Sequence, residues 1–371
     1  MIRPLPAAAA ICLVAWVAAQ GERSRARDLG LAPGRYSPGA LNAITDVGDV
    51  RVGHTTVIKG RSIRTGVTAV LPHGGNLFQE KVAAGVFVGN AFGKLAGSTQ
   101  VEELGTLETP IVLTNTLAVG RAVDAVVGWT LAQAGNGGVR SVNAVVGETN
   151  DGWVNDIRTR PITVAHVLSA IDRASGGPVL EGSVGAGTGT ICYGWKGGIG
   201  TSSRRLTIGT DGWTVGVLVQ TNFGGTLVMG GVPVGERLAP PGPVPAGRGD
   251  GSCMIVVATD APIDARDLRR LAARAVFGLA RTGSSYSHGS GDYAVAFSTS
   301  PELRVRHGET AVRARAILPS EAISPLFDAA LEATEEAVYN SLLQAKTISG
   351  NGRTVHALPI GELRVVLGQS R

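Results

Sequence analysis

Apolar positions along the chain fall into short runs separated by glycine-rich turns, and only a few stretches carry a helical period. "GVTAVLP", "AAGVFVGNAFG", "VNAVVGE", "WTVGVLVQTNFG", "CMIVVATDAP" and "DYAVAFSTS" each read as a strand bounded by turn residues. Ile44, Val47, Val50 and Val52 extend this reading to short strands broken by glycines. Helical spacing is clear in residues 115–134, where Val119, Val123, Val126, Val127 and Leu131 share a face and Asn115 or Thr116 serves as cap. Three more helices are predicted: after Thr163, after Asp264, and from "SPLFDAALEATEEAVYNSLLQA", with Ser324 as cap and Pro325 at the first helical position. Strands in tandem with a few long helices predict a layered α/β or α+β domain. The Pro/Gly tract at 239–251 lies inside the strand-rich region, so it does not divide two domains. Residues 20–40, basic and without apolar periodicity, read as an extended arm.

Composition narrows the class. The chain has 371 residues, of which 53 are glycine, about twice the usual share, and this argues against a helical bundle. The net charge of +5 is scattered, with no basic block interleaved with aromatics; nucleic acid is not an expected partner. Arg3, the apolar run Ala7–Val17 and the small residues Val17-Ala18-Ala19 favour reading residues 1–19 as an export signal, from which a periplasmic or secreted mature protein is expected. The competing reading is an extended cytoplasmic start. No other segment approaches the 18 apolar residues of a membrane span. With Cys12 in the signal, Cys192 and Cys253 remain, too few for a disulfide framework, and the spacing leaves their pairing open. The histidines show no metal-ligand spacing, and neither a metal nor a cofactor is implied.

The chemistry concentrates at "GRGDGSCMIVVATDAP", residues 247–262, where a loop of small and charged residues runs into an apolar strand. A serine hydroxyl can attack the carbonyl before it, giving an ester that water hydrolyses to leave a chain beginning with serine. Gly251 removes the Cβ that would crowd the attack on the Gly251–Ser252 bond. The freed α-amine has a reference pKa of about 7.7–8, suited to a general base, so one residue would carry both nucleophile and base.

The chain resembles the L-aminopeptidase/D-esterase and β-peptidyl aminopeptidase family of autoprocessing serine hydrolases. The resemblance runs from "RARDLGL" to the C-terminus and is carried by "NAITDVGDVRVGHTTV", "TPIVLTNTLAVG", "VVGETNDGWVNDI", "GAGTGT", "KGGIGTSSR", "VQTNFGG", "GDGSCMIVVATDAP" and "HGSGDYAVAFST". It implies an αββα four-layer sandwich of N-terminal-nucleophile type, related in topology to ornithine acetyltransferase. It further implies cleavage into chains 20–251 and 252–371 that remain one globular unit, and a homotetramer of those heterodimers. The implied activity removes the N-terminal residue from short peptides, amides or esters bearing a free amine, with D-residue or β-amino acid tolerance in some members.

Residue by residue, the resemblance makes Ser252 the nucleophile, Ser290 and Asp292 its tuning pair, and Asn222 the oxyanion-hole amide. It makes Glu148 the carboxylate that meets the substrate ammonium. Some relatives have glutamate at the position of Asp292. Others carry a tyrosine hydroxyl where this chain offers Asn150 or Trp153, which leaves the second oxyanion donor open. Taken singly, Asn222 reads as a turn residue, Ser290-Gly291-Asp292 as a capped loop and Glu148 as a solvated strand end; their joint order favours the site. The "GAGTGT" run lacks the full dinucleotide fingerprint and reads as close backbone packing. His288 is assigned a supporting role, because a nucleophile with its own amine needs no histidine, and Cys253, one residue on, is expected to point to the buried opposite face. Two other readings remain: an acyltransferase, against which Ser252 speaks because that group uses threonine, and an unprocessed, non-catalytic periplasmic binding protein.

Overall fold

Two β-sheets stack face to face with helices outside both. The computed structural model describes residues 23–243 and 251–368, so the signal reading at 1–19 lies outside the described residues. The first sheet runs β1 (Arg51–Lys59), β2 (Ile63–Leu71), β4 (Ile111–Asn115), β5 (Val145–Thr149), with the two-residue strand Leu95–Ala96 at its far edge. The second runs β6 (Gly198–Ile208), β7 (Asp211–Asn222), β8 (Gly251–Thr259), β9 (Ser290–Ser298), β3 (Glu80–Ala91). Pairs β4–β5 and β8–β9 are parallel; the other pairs among these nine strands are antiparallel.

Strand alternation sorts the side chains into layers. Val70, Ile111, Leu113 and Val145 from the first sheet meet Leu218, Met254, Val256, Val295 and Phe297 from the second, forming the core between the sheets. The outer face of the first sheet packs on α1 (Val119–Leu131) and α2 (Val164–Asp172). That of the second packs on α3 (Ala265–Arg281) and α4 (Ser324–Leu343). This is the expected αββα sandwich.

Local chemistry sets the helix starts. The Asp264 carboxylate accepts the Asp267 N–H at 3.0 Å and caps α3, and Thr163 caps α2 by accepting the His166 N–H. Asn115 accepts the Leu117 N–H, capping a single 3₁₀ turn that leads into α1. Helix α4 is buried on nearly every face, its alanines and leucines packed in the core and polar residues such as Asn340 and Ser341 hydrogen-bonded inside it. Its buried Glu332 and Glu336 pair with the buried Arg204 guanidinium at 3.2 and 2.8 Å.

Three expectations need correction. Residues 44–46 form a 3₁₀ turn, and the first strand begins only at Arg51, so of the four only Val52 lies in a strand, while Ile44, Val47 and Val50 are buried by tertiary packing without pairing in a sheet. Ser324 is the first helical residue and Ile323 flanks it, so the serine side chain makes no cap and Pro325 takes the second helical position, not the first. The arm is strapped down from Arg23 onward. Arg25 donates to the carbonyls of Leu41, Asn42 and Thr201, Arg27 pairs with Glu336, and Ala26 and Leu29 are buried. Its guanidiniums find acceptors that only folding brings together: the carbonyls of Leu41 and Asn42, that of Thr201 on β6, and Glu336 on α4.

Candidate active site

Strand β7 ends where β8 and β9 begin, so three strand ends open side by side. The antiparallel register puts Asn222 opposite Ser252, and the parallel register puts Gly291 opposite Ser252 on the other side. Ser290 then faces Gly251, and Asp292 faces Cys253. Directly opposed residues in an antiparallel pair carry their side chains on one face, with Cβ atoms about 4.5–5.5 Å apart. The Asn222 amide therefore stands beside the Ser252 hydroxyl on the face that Met254 and Val256 turn toward the core between the sheets. Cys253 turns the other way with Ile255 and Val257, as alternation predicted.

The orientation of Asn222 follows from one hydrogen bond. Its Oδ1 accepts the Ile191 N–H at 3.0 Å. Only the amide oxygen can meet an N–H, so Nδ2, with its two hydrogens, is turned to the other side as a donor. Gly251 has φ +150°, and a Cβ there would come within 2.0 Å of the Asn222 carbonyl oxygen and 2.7 Å of Phe223 Cα. Backbone closes on that position, and only glycine fits it.

By strand alternation Ser290 and Asp292 belong to the helix-side face that Cys253 shares. They bracket the 251–252 bond from its neighbouring strand, while the Ser252 side chain points to the opposite face. The Ser290 hydroxyl donates to Asp292 Oδ2 at 2.7 Å, and Asp292 Oδ1 is buried with no hydrogen-bond partner. Burial pushes the Asp292 carboxyl up to about 6, against the opposing pull of the Ser290 hydroxyl and the Cys253 N–H.

Glu148 ends the site on the first sheet. It is buried on β5, its Oε1 accepting the Lys94 N–H at 3.1 Å and its Oε2 accepting the Thr116 hydroxyl. Ser252, Asn222, Glu148, Asn150 and Trp153 all line one cleft of about 1330 Å3; Ser290 and Asp292 stand behind its wall. Asn150 uses its Oδ1 on the Gly152 N–H at 2.9 Å, so an amide N–H₂ is what it has left to offer. Trp153 is held by Arg353, whose guanidinium lies 4.1 Å over the ring and donates to the Trp153 carbonyl. His288 lines the cleft too, 6.1 Å from Phe92 ring to ring. As site residues, Lys94 and Ile191 escaped the sequence reading, and Thr116, read there only as a possible helix cap, turns its hydroxyl to Glu148. Each acts through a contact between distant segments, and Ile191 acts through its backbone, which has no sequence signature.

The remaining motifs have structural work. Gly187 of "GAGTGT" lies in a 3₁₀ turn where a Cβ would meet Ile199 N at 2.4 Å, the close backbone packing expected of it. Cys192 and Cys253 are free thiols in the core, where burial pushes Cys192 up to about 12 and Cys253 well above its usual value. Among the described residues, no cluster of three or more His, Cys, Asp or Glu could hold a metal, and no helix is long and apolar enough to cross a membrane.

The sequence profile of peptidase family S58 matches residues 42–355. The chain belongs to peptidase family S58. It is 44% identical to the β-peptidyl aminopeptidase BapA of Sphingosinicella microcystinivorans, over 95% of this chain and 94% of that one. Among solved structures, the PH0078 protein of Pyrococcus horikoshii superposes with a TM-score of 0.88 at 47% identity, covering 93% of this chain and 99% of the other. The L-aminopeptidase D-Ala-esterase/amidase of Ochrobactrum anthropi, described as a variant of the Ntn hydrolase fold, superposes at 0.86 and 38% identity, covering 93% and 98%. The sandwich of this S58 peptidase is that Ntn variant, and the chain is an aminopeptidase of the same kind.

Proposed function

We propose that this S58 aminopeptidase cuts its own Gly251–Ser252 bond and then uses the new N-terminal Ser252 to release the first residue of short peptides, amides or esters. The observation that carries the reading is the strand register, which brackets Ser252 between Asn222 and the Ser290–Asp292 end of β9, in the wall of the cleft that Glu148 also lines. In self-cleavage Ser252 Oγ attacks the Gly251 carbonyl carbon, its proton passes to the departing nitrogen, and water hydrolyses the ester. The products are a Gly251 carboxylate, a free hydroxyl and a free α-amine.

In turnover that amine takes the Oγ proton as the hydroxyl attacks the substrate carbonyl, then hands it to the leaving amine; water hydrolyses the acyl-enzyme left on Ser252, releasing the first residue and restoring the hydroxyl. Asn222 Nδ2 donates to the oxyanion. The amine would form in the sheet plane, one residue from the Cys253 N–H that already pulls the Asp292 carboxyl toward its ionised form. The unpartnered Asp292 Oδ1 supports a role in holding and tuning it. Glu148 takes the substrate ammonium, while Asn150 and Trp153 flank the bound residue. The size of the cleft is compatible with D- or β-amino acids as well as L-residues. Export through residues 1–19 and assembly into a tetramer of cleaved heterodimers belong to the same proposal.

Denaturing mass spectrometry of the purified protein beside Ser252→Ala tests it. Scaling 38.0 kDa by residue number gives roughly 24 kDa for 20–251 and 12 kDa for 252–371. Two such chains, the smaller beginning Ser-Cys-Met, with Ser252→Ala intact, is the expected result. One intact chain in both samples overturns it and favours an unprocessed binding protein.

A further inference from the structure

The carboxylate assigned to the substrate's ammonium already holds a cation. Lys94 Nζ lies 3.6 Å from Glu148 Oε1. The two partners differ sharply in exposure: the Glu148 side chain is 3% accessible and the Lys94 side chain 56%. Glu148 is further pinned by the Thr116 hydroxyl on Oε2 and by the Lys94 backbone N–H on Oε1, so its position does not depend on the lysine ammonium. Burying an unpaired carboxylate is costly, and the lysine ammonium is the counter-charge. Both residues line the cleft with Ser252 and Asn222.

We propose that Lys94 is a displaceable counterion which occupies the substrate-ammonium site of the empty enzyme and sets how tightly cationic amines bind. This rests on the reading of Glu148 as the ammonium site. A primary ammonium on a flexible stem is a chemical copy of the group the substrate brings. On binding, the incoming ammonium takes Oε1, and the Lys94 head swings into solvent, where its exposure already leaves it room. The two cations compete for one carboxylate oxygen, so the lysine weakens substrate binding without touching the reacting carbonyl. Only ligands with a positive charge at the right place can displace it, which sharpens selection for free N-termini against neutral ones.

Steady-state kinetics on an aminoacyl p-nitroanilide, with the Ki of butylamine as a competitive inhibitor, tests this in wild type, Lys94→Met, Lys94→Arg, Glu148→Gln and the Glu148→Gln/Lys94→Met pair. Lys94→Met should lower both KM and the butylamine Ki by about two- to fivefold, the range a half-exposed ion pair supports, with kcat moving less than twofold. Lys94→Arg should restore wild-type values, and in the Glu148→Gln background Lys94→Met should have no further effect. An unchanged or raised KM and Ki in Lys94→Met, with Glu148→Gln still raising KM, overturns the lysine proposal alone. If Glu148→Gln leaves KM and Ki at wild-type values, the ammonium site itself is misassigned and the lysine proposal falls with it.

Discussion

Asn222 is the residue whose geometry makes the sharpest demand on the mechanism. Asn222→Ala removes the donor facing Ser252 and the acceptor of the Ile191 N–H. Loss of one oxyanion donor costs about 10²–10³ in kcat. The buried Ile191 N–H left without a partner costs about 1–3 kcal/mol of stability, a fall of a few degrees in Tm for a chain of this size. Asn222→Asp separates the two effects: it keeps an oxygen for the Ile191 N–H and replaces only the donor. In the proposed mechanism the Gly251 carbonyl of self-cleavage and the substrate carbonyl of turnover meet the same hydroxyl, so both reactions should slow by comparable factors in both variants. The assay is a mass-spectrometric time course of chain cleavage, with kcat measured on the cleaved fraction. Asn222→Asp cleaving and turning over within fivefold of wild type would refute the oxyanion assignment, whatever its Tm.

Three other outcomes follow from the site. Gly251→Ala should leave the chain uncleaved on a denaturing gel, because its Cβ would sit 2.0 Å from the Asn222 carbonyl oxygen; normal two-chain product would show that the backbone there is free to move. In the uncleaved Ser252→Ala background, Asp292→Asn should raise Tm at pH 8. Burial lifts the folded carboxyl from 3.8 to about 6, so its contribution to stability is full below pH ~4 and is lost as pH rises through 6. The ionised group then burdens the fold at pH 8 by up to roughly 3 kcal/mol that asparagine does not carry, and the Tm difference should close toward pH 4. A lower Tm for Asp292→Asn at pH 8 would reverse that sign. Glu148→Gln should raise KM on the order of 10- to 100-fold, the worth of a charge-assisted hydrogen bond, with a smaller change in kcat; a loss confined to kcat would move Glu148 out of substrate binding.

The sequence by itself determined the elements and the reaction class. Strand runs such as "WTVGVLVQTNFG" and "CMIVVATDAP" and the capped start at Asp264 are local signals, because period and capping act within a few residues. The Gly-Ser bond at the mouth of a strand points to its chemistry only in the company of the other family motifs, whereas Cys253 burial follows from period-two alternation alone. Tertiary structure decided which ends meet. Nothing local says that Asn222 pairs with Ser252, that Ile191 turns the Asn222 amide, or that Lys94 reaches Glu148, since each joins segments brought together only when two sheets stack. The same holds for Ile44 and Val47, whose apolar spacing resembled strands but whose burial comes from the sheet packed over a turn. Local periodicity reports what a segment can become; long-range register and burial assign it neighbours, and here the neighbours make the site.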